Sequence, residues 1–434
     1  MPASEVEIER KATLQRAYPW VVIAVAFLTL GAAFGMRNAF AVFLVAVIEE
    51  FRWSRGLTSG VLMLGSVMWT LAAPIIGILL DRYGPRVVMA AGSTIMAIGF
   101  VVSGLADTVM EFYLGMGFLV GIGFAALPMT SQATFLANWF VRKRGMAMGL
   151  TASGIGVGIL AVVPLAQYLI ATFGWRHAYF LLAALLVLIV APLNLFFQRQ
   201  RPEDMGLAPD FGKTFGPAVP RHEKTNRDSG GTLKQALSTG RFWAFACGAL
   251  AGAIPLHMVL IHQVAAVADA GFSKELAALG LGLIGLFTAP CMILMGVLAD
   301  RIGREWSYTV GSAALMIGIF ILMFAIDPSH KWVFYAFPPF VAFGFSSRQS
   351  LYPTIAADLF YGKNFGAIIG AIALFIGAGS GIGPWLGGAI YDLTGSYRDA
   401  FWIAQLLAFL SICLIWVAAP RNYRQRFEKT DASK

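Results

Sequence analysis

Two arginines lie inside long apolar runs of the chain, Arg37 within residues 18–48 and Arg348 within residues 331–359. If those runs cross a membrane, each guanidinium costs about 2.5–3.5 kcal/mol at the bilayer centre on insertion scales. A charge kept at that cost faces a protein interior or a water-filled path, not lipid. The middles of the apolar runs hold no Asp or Glu; Glu111, Asp269, Glu275 and Asp358 all fall at their ends. Two fixed cations without a fixed counter-ion make a site short of an anion. A carboxylate fits the planar guanidinium fork with two parallel hydrogen bonds. The chemistry these residues point to is recognition of a small organic carboxylate. A cationic ligand would be repelled, and a neutral sugar would leave the charge uncompensated.

His257 and His262 share the run 241–270. An imidazole changes charge near neutrality, so either is a candidate proton carrier. Five residues apart on a helix, they point about 140° away from each other. Asp269 lies seven residues beyond His262 and shares its face, and Tyr352 shares the face of Arg348, four residues before it. Asn38 and Gln132 are the weaker polar candidates, since a polar side chain in an apolar run also serves to bond a neighbouring helix. The candidate binding set is Arg37, Arg348, His257, Tyr352, Asn38 and Gln132, and the candidate proton-coupling set is His262, His257 and Asp269. Cys247, Cys291 and Cys413 sit apart in apolar runs with no metal spacing. No metal and no cofactor is expected, and a proton is the expected coupling ion.

The elements that must position these residues are membrane helices. Of 434 residues, 58% are hydrophobic and 13% charged, against about 45–50% and about 25% in soluble domains. That composition excludes an ordinary soluble enzyme and a disordered chain. The hydropathy pattern predicts twelve helices over 18–48, 58–80, 87–106, 109–138, 146–172, 177–198, 241–270, 275–299, 306–326, 331–359, 365–392 and 399–419. The expected organisation is a tail (1–17), a six-helix bundle (18–198), a polar, proline-containing linker (199–238), a second six-helix bundle (239–419) and a tail (420–434). With the N-terminus inside, inner segments hold 23 Lys and Arg and outer loops hold 6. This excess predicts both termini in the cytoplasm, and the expected location is the inner (plasma) membrane. It also explains the net charge of +9 without a nucleic-acid partner. The expected partners are the bilayer and the carboxylate, with the chain acting as a monomer.

The chain repeats itself at an offset near 220 residues. Gly77-Ile-Leu-Leu-Asp81-Arg82-Tyr83-Gly84 recurs as Gly296-Val-Leu-Ala-Asp300-Arg301-Ile302-Gly303. Phe173-Gly174-Trp175-Arg176 is echoed around Gly395 and Arg398, and Asp358 to Gly370 echoes Asn138 to Gly149. Parallel repeats imply two related halves with a substrate site near the midplane. The offset aligns His257 with Arg37. Glycines 154, 156 and 158 and glycines 377, 379, 381 and 383 follow no strand and no phosphate-loop lysine, so they are expected to serve close helix packing.

The repeated Gly-x-x-x-Asp-Arg-x-Gly element resembles the signature of the major facilitator superfamily, over nearly the whole chain. Trp139-Phe140-x-Arg142-Lys143-Arg144-Gly145-Met146-Ala147-x-Gly149 and Phe34-Gly35 with Phe40-x-Val42-Phe43 are similar to the monocarboxylate-transporter subgroup. So is Arg201-Pro202-Glu203-Asp204-Met205-Gly206, as found in bacterial relatives that include oxalate–formate antiporters. The resemblance implies an all-α membrane protein of twelve helices in two pseudo-symmetric bundles, with helices 1, 4, 7 and 10 around a central cavity. It implies that Asp81, Arg82 and Arg86, with Asp300 and Arg301, clamp the cytoplasmic side. The chain departs from the animal members. Their first-helix lysine position reads Asn38, and the eighth-helix arginine of their Asp–Arg pair reads Met292.

The expected function is a secondary transporter, not an enzyme, that moves a small organic carboxylate by alternating access in symport with a proton. The alternatives are anion exchange without protons and a transporter-derived receptor.

Overall fold

A computed structural model describes residues 3–141, 143–210, 233–324, 331–360 and 365–418, and no strand occurs among them. Lipid offers a backbone no hydrogen-bond partner, so the apolar runs close their own bonds as helices. The first helix is Ala3–Phe51. The second and third share Arg55–Leu105, broken at Gly84. The fourth occupies Val109–Trp139, the fifth Arg144–Phe173 and the sixth Trp175–Phe197. The seventh to twelfth are Gly240–Asp269, Lys274–Ile302, Arg304–Phe324, Lys331–Phe360, Phe365–Thr394 and Tyr397–Ala418. Among the described residues ten stretches are long and apolar enough to cross a membrane. Arg55–Leu105 counts once there, and the tenth helix, with three prolines and Arg348, is not one of the ten. Most of the expected linker (211–232), the expected tail 420–434 and Arg142 lie outside the described residues.

The second helix starts at Arg55, earlier than its apolar run, because Ser54 caps it by accepting from the Leu57 amide. The fourth helix is discontinuous. A π-helical stretch, Tyr113–Leu119, leads into Val120–Ala125, and regular helix resumes at Met129 after Pro128. Proline has no N–H to continue the ladder. Two side chains take up the freed carbonyls: Ser131 Oγ donates to Ala125 O at 3.1 Å and Gln132 Nε2 to Leu127 O at 2.9 Å.

The chain forms two compact units, Met1–Arg37 with Met68–Val219, and Asn38–Val67 with Pro220–Lys434. In the first, the first and fifth helices approach at glycine, so closely that a Cβ on Gly158 would land on the Gly31 carbonyl. In the second, Gly379 and Gly383 of the eleventh helix pack on the Leu250 and Ile254 carbonyls of the seventh. The repeat is visible in the backbone. Gly84 (φ 74, ψ 169) and Gly303 (φ 90, ψ 168) occupy one glycine-only conformation at matched positions. Gly174 and Gly395, which precede the sixth and twelfth helices and are one position out of step in the repeat, have φ of 82 and 72.

Candidate functional site

Arg37 is half-buried in the first unit, and its guanidinium lies over two rings. The guanidinium carbon is 5.3 Å from the Trp69 ring centre and 5.1 Å from that of Phe124. The two rings meet edge to face at 5.4 Å. Such stacking holds the fork in plane and is worth about 0.5–2 kcal/mol. Phe124 stands just before the break in the fourth helix, and interrupted helices are where secondary transporters bind their substrates. Gln132 is fully buried beyond the same break, its amide nitrogen spent on Leu127 and its Oε1 without a hydrogen-bond partner.

Arg348 is 3% exposed in the second unit. Its Nε donates to Gly252 O at 2.8 Å and its Nη1 to Gly344 O at 2.9 Å. Nη2 has a longer contact of 3.4 Å to Ser312 Oγ. The guanidinium carbon is 5.4 Å from the Tyr308 ring centre. Among the described residues no carboxylate forms an ion pair with Arg348. Tyr352, on its face, joins the same cluster: its hydroxyl meets that of Tyr308 at 3.2 Å and donates to Ala249 O at 3.3 Å. Tyr308 also hydrogen-bonds Ser411. Gly252 lies in the middle, and a Cβ there would meet the hydroxyls of Tyr308, Tyr352 and Ser411. Sequence reasoning missed Tyr308, Ser411 and Gly252, because the bonds that unite them span 44 to 103 residues.

The two histidines have different surroundings. His257 is half-buried, with Nδ1 2.9 Å from Ala253 O, one turn back on its own helix. His262 is fully buried, Nε2 lying 2.6 Å from Pro384 O and Nδ1 3.1 Å from Tyr397 Oη. Tyr397 accepts from Arg55 at 2.7 Å, and Arg55 pairs with Asp269 at 2.7 Å. His262 and Asp269 thus belong to one cluster centred on Arg55. The Arg55 and Gly56 amides donate to the two oxygens of Asp392 at 2.8 and 2.7 Å, and the Arg55 guanidinium lies 3.7 Å from the Tyr391 ring centre. Arg55 looks like an ordinary loop charge in sequence, since its partners are 214 to 342 residues away. Asn38, also in this unit, is 7% exposed.

Asp81 and Arg82 are exposed, with Arg82 over the Tyr83 ring and Arg86 Nε donating to Leu195 O at 2.7 Å. In the second half Asp300 pairs with Arg304 at 3.0 Å, and Arg304 reaches Asp358 at 3.2 Å. Arg301 is exposed and joins no ion pair among the described residues. Arg304, absent from the expected clamp, is the residue that ties Asp300 to the end of the tenth helix.

The sequence profile of the Major Facilitator Superfamily matches residues 25–347 and, in a second match, 256–434. The chain belongs to the major facilitator superfamily. The two overlapping matches fit a fold made of a repeated half. Among this transporter's relatives, Monocarboxylate transporter 2 of Homo sapiens is 23% identical over 419 residues, 93% of this chain and 86% of that one. Monocarboxylate transporter 11 of Homo sapiens is 27% identical over 410 residues, 93% of this chain and 83% of that one. A solved bacterial homologue of the human lysosomal transporter Spinster, crystallised inward-facing and unoccupied, superposes with a TM-score of 0.68. At 16% identity, over 94% of this chain and 97% of that one, that likeness is one of fold. The chain is therefore a multi-pass membrane transporter related to the monocarboxylate transporters.

Proposed function

We propose that this transporter moves a small organic carboxylate across the inner membrane by alternating access, in symport with a proton, as a monomer with both termini in the cytoplasm. Arg37 is the carboxylate's ligand, its fork held by Trp69 and Phe124. Arg348 is the fixed positive charge that favours an anion and disfavours a cation. The observation that carries the reading is the state of Arg348. A guanidinium 3% exposed is bonded to carbonyls and hydroxyls alone, with no described carboxylate in ion-pair contact. The buried acids among the described residues, Asp210 and Glu305, lie after the sixth helix and in the first turn of the ninth. Neither neutralises the middle of a span. The names carried by the relatives agree with a carboxylate.

His262 and His257 are the proposed proton-responsive groups, with Asp269 beside the former. Asp81, Arg82, Arg86, Asp300 and Arg301 are the proposed cytoplasmic gate. The test is uptake of radiolabelled organic acids into proteoliposomes, with and without an inward proton gradient. Saturable carboxylate uptake stimulated by the gradient is expected. Exchange of one carboxylate for another with no response to the gradient would favour the exchanger. Binding without translocation in counterflow would favour a receptor.

A further inference from the structure

The Arg55 cluster lies apart from the proposed carboxylate ligands, and among the described residues it gathers an arginine, two aspartates, two tyrosines and His262. It joins the start of the second helix to the ends of the seventh and eleventh and the start of the twelfth. By chain connectivity these four ends lie on one face of the membrane, the face opposite the termini in the proposed topology. Below the charges the seam continues as close backbone packing. A Cβ on Gly388 would meet Arg55 O, Ser59 Oγ donates to Pro384 O at 2.9 Å, and Ser66 and Ser380 hydroxyls meet at 3.0 Å, both buried.

Donor and acceptor roles in the cluster follow from giving each hydrogen a partner. The Pro384 carbonyl only accepts, so Nε2 of His262 carries a hydrogen. Arg55 only donates, so the Tyr397 oxygen accepts from it, and the hydroxyl's own hydrogen is paired within the cluster when it goes to Nδ1 of His262. Nδ1 is then a bare acceptor, and the docked cluster holds a neutral imidazole. An imidazolium would direct a second donor at the Tyr397 oxygen and lie near the Arg55 guanidinium. Four other charged groups around this corner have partners of their own. Asp269 is on the Arg55 guanidinium, Asp392 on the Arg55 and Gly56 amides, and Glu49 and Lys274 pair with each other at 2.6 Å. Tyr391 is stacked beneath Arg55.

We infer that this cluster is a gate on the face opposite the termini, latched by Arg55 and docked only while His262 is neutral. It rests on the transporter reading for its topology. The open state binds one more proton than the docked state, so docking gains as pH rises and opening gains as pH falls. A proton arriving from that face is taken up together with opening.

The experiment is cysteine accessibility in proteoliposomes. Ser66→Cys is placed in a variant lacking Cys247, Cys291 and Cys413, and a membrane-impermeant thiol reagent is applied from the face opposite the termini. Rates are normalised to the exposed Leu57→Cys at the same pH, which removes the titration of the thiol itself. The normalised rate at about pH 5.5 is expected to exceed that at about pH 8 by roughly tenfold. His262→Asn is expected to abolish that pH dependence, and Arg55→Gln to raise the rate at both pH values. Should Arg55→Gln fail to insert, Asp392→Asn, which turns one of the two oxygens that accept from the Arg55 and Gly56 amides into a donor, is expected to raise it likewise. A wild-type rate equal at both pH values, or pH dependence surviving in His262→Asn, overturns the proton latch. Unaltered rates in the Arg55 and Asp392 variants overturn the gate. Labelling requires no substrate, so these outcomes are separate from the carboxylate reading, which falls if uptake is absent. Labelling of Ser66→Cys from the termini's own face overturns the topology.

Discussion

A single guanidinium discriminates between ligands by shape as well as by charge. Arg37→Lys keeps the cation but loses the planar fork and its stacking on Trp69 and Phe124. Its KM for a carboxylate should rise roughly tenfold, the equivalent of about 1.4 kcal/mol, while Vmax is retained. Trp69→Leu, which leaves the charge and loosens the fork, should give a smaller rise in the same uptake assay. An unchanged KM in both variants would show that the stacked arginine does not touch substrate. At Gly252 the constraint is space. Gly252→Ala pushes a methyl into the Tyr308, Tyr352 and Ser411 hydroxyls and should cost about 1–3 kcal/mol. A lowered melting temperature in detergent, with Arg348 and its other partners unaltered in sequence, is the check. Arg37, Arg348 and the absence of a mid-span acid were legible in sequence because charge in an apolar run stands out. The neighbours that define their roles, Trp69, Phe124 and Tyr308, were not, since an aromatic residue in a membrane helix is unremarkable in sequence.

At the scale of the helix, backbone hydrogen bonding decides what is legible. The twelve helices and the repeat could be read directly, because lipid compels helix and the matched Asp-Arg-x-Gly elements end in a glycine that the turn requires. Gly84→Ala and Gly303→Ala should each cost about 1–3 kcal/mol, since both stand in a conformation that L side chains rarely adopt. Near-equal losses of thermal stability are expected from the symmetry of the repeat, and a loss at one glycine alone would contradict it. The break in the fourth helix was not legible. Pro128 stands at the start of the segment that resumes at Met129, after a break that begins beyond Ala125, whereas Pro74, Pro164, Pro255, Pro290 and Pro384 lie inside continuous helices. What separates Pro128 is that Ser131 and Gln132 take up the carbonyls it frees, a property of three-dimensional placement. Close approach is equally local to the fold. Gly158→Leu should prevent the first and fifth helices from meeting at Gly31, and the variant should fail to elute as a single species in size-exclusion chromatography.

The whole molecule combines a family fold, a charge balance and a gate. The family follows from the repeat and its profile. The proposed preference for an anion rests on Arg348, which forms no ion pair among the described residues. The Arg55 gate could emerge only from the fold, since it unites residues more than 200 positions apart. These parts predict a transporter that binds carboxylates and closes, on the face opposite its termini, around a neutral His262. The most direct test of the central claim is competition for uptake in proteoliposomes containing the wild-type chain or Arg37→Ala. The account predicts saturable uptake of a labelled small carboxylate, inhibited by other carboxylates but not by organic amines or neutral sugars, and lost in Arg37→Ala. Uptake that amines or sugars inhibit, or that Arg37→Ala sustains at the wild-type rate, would contradict it.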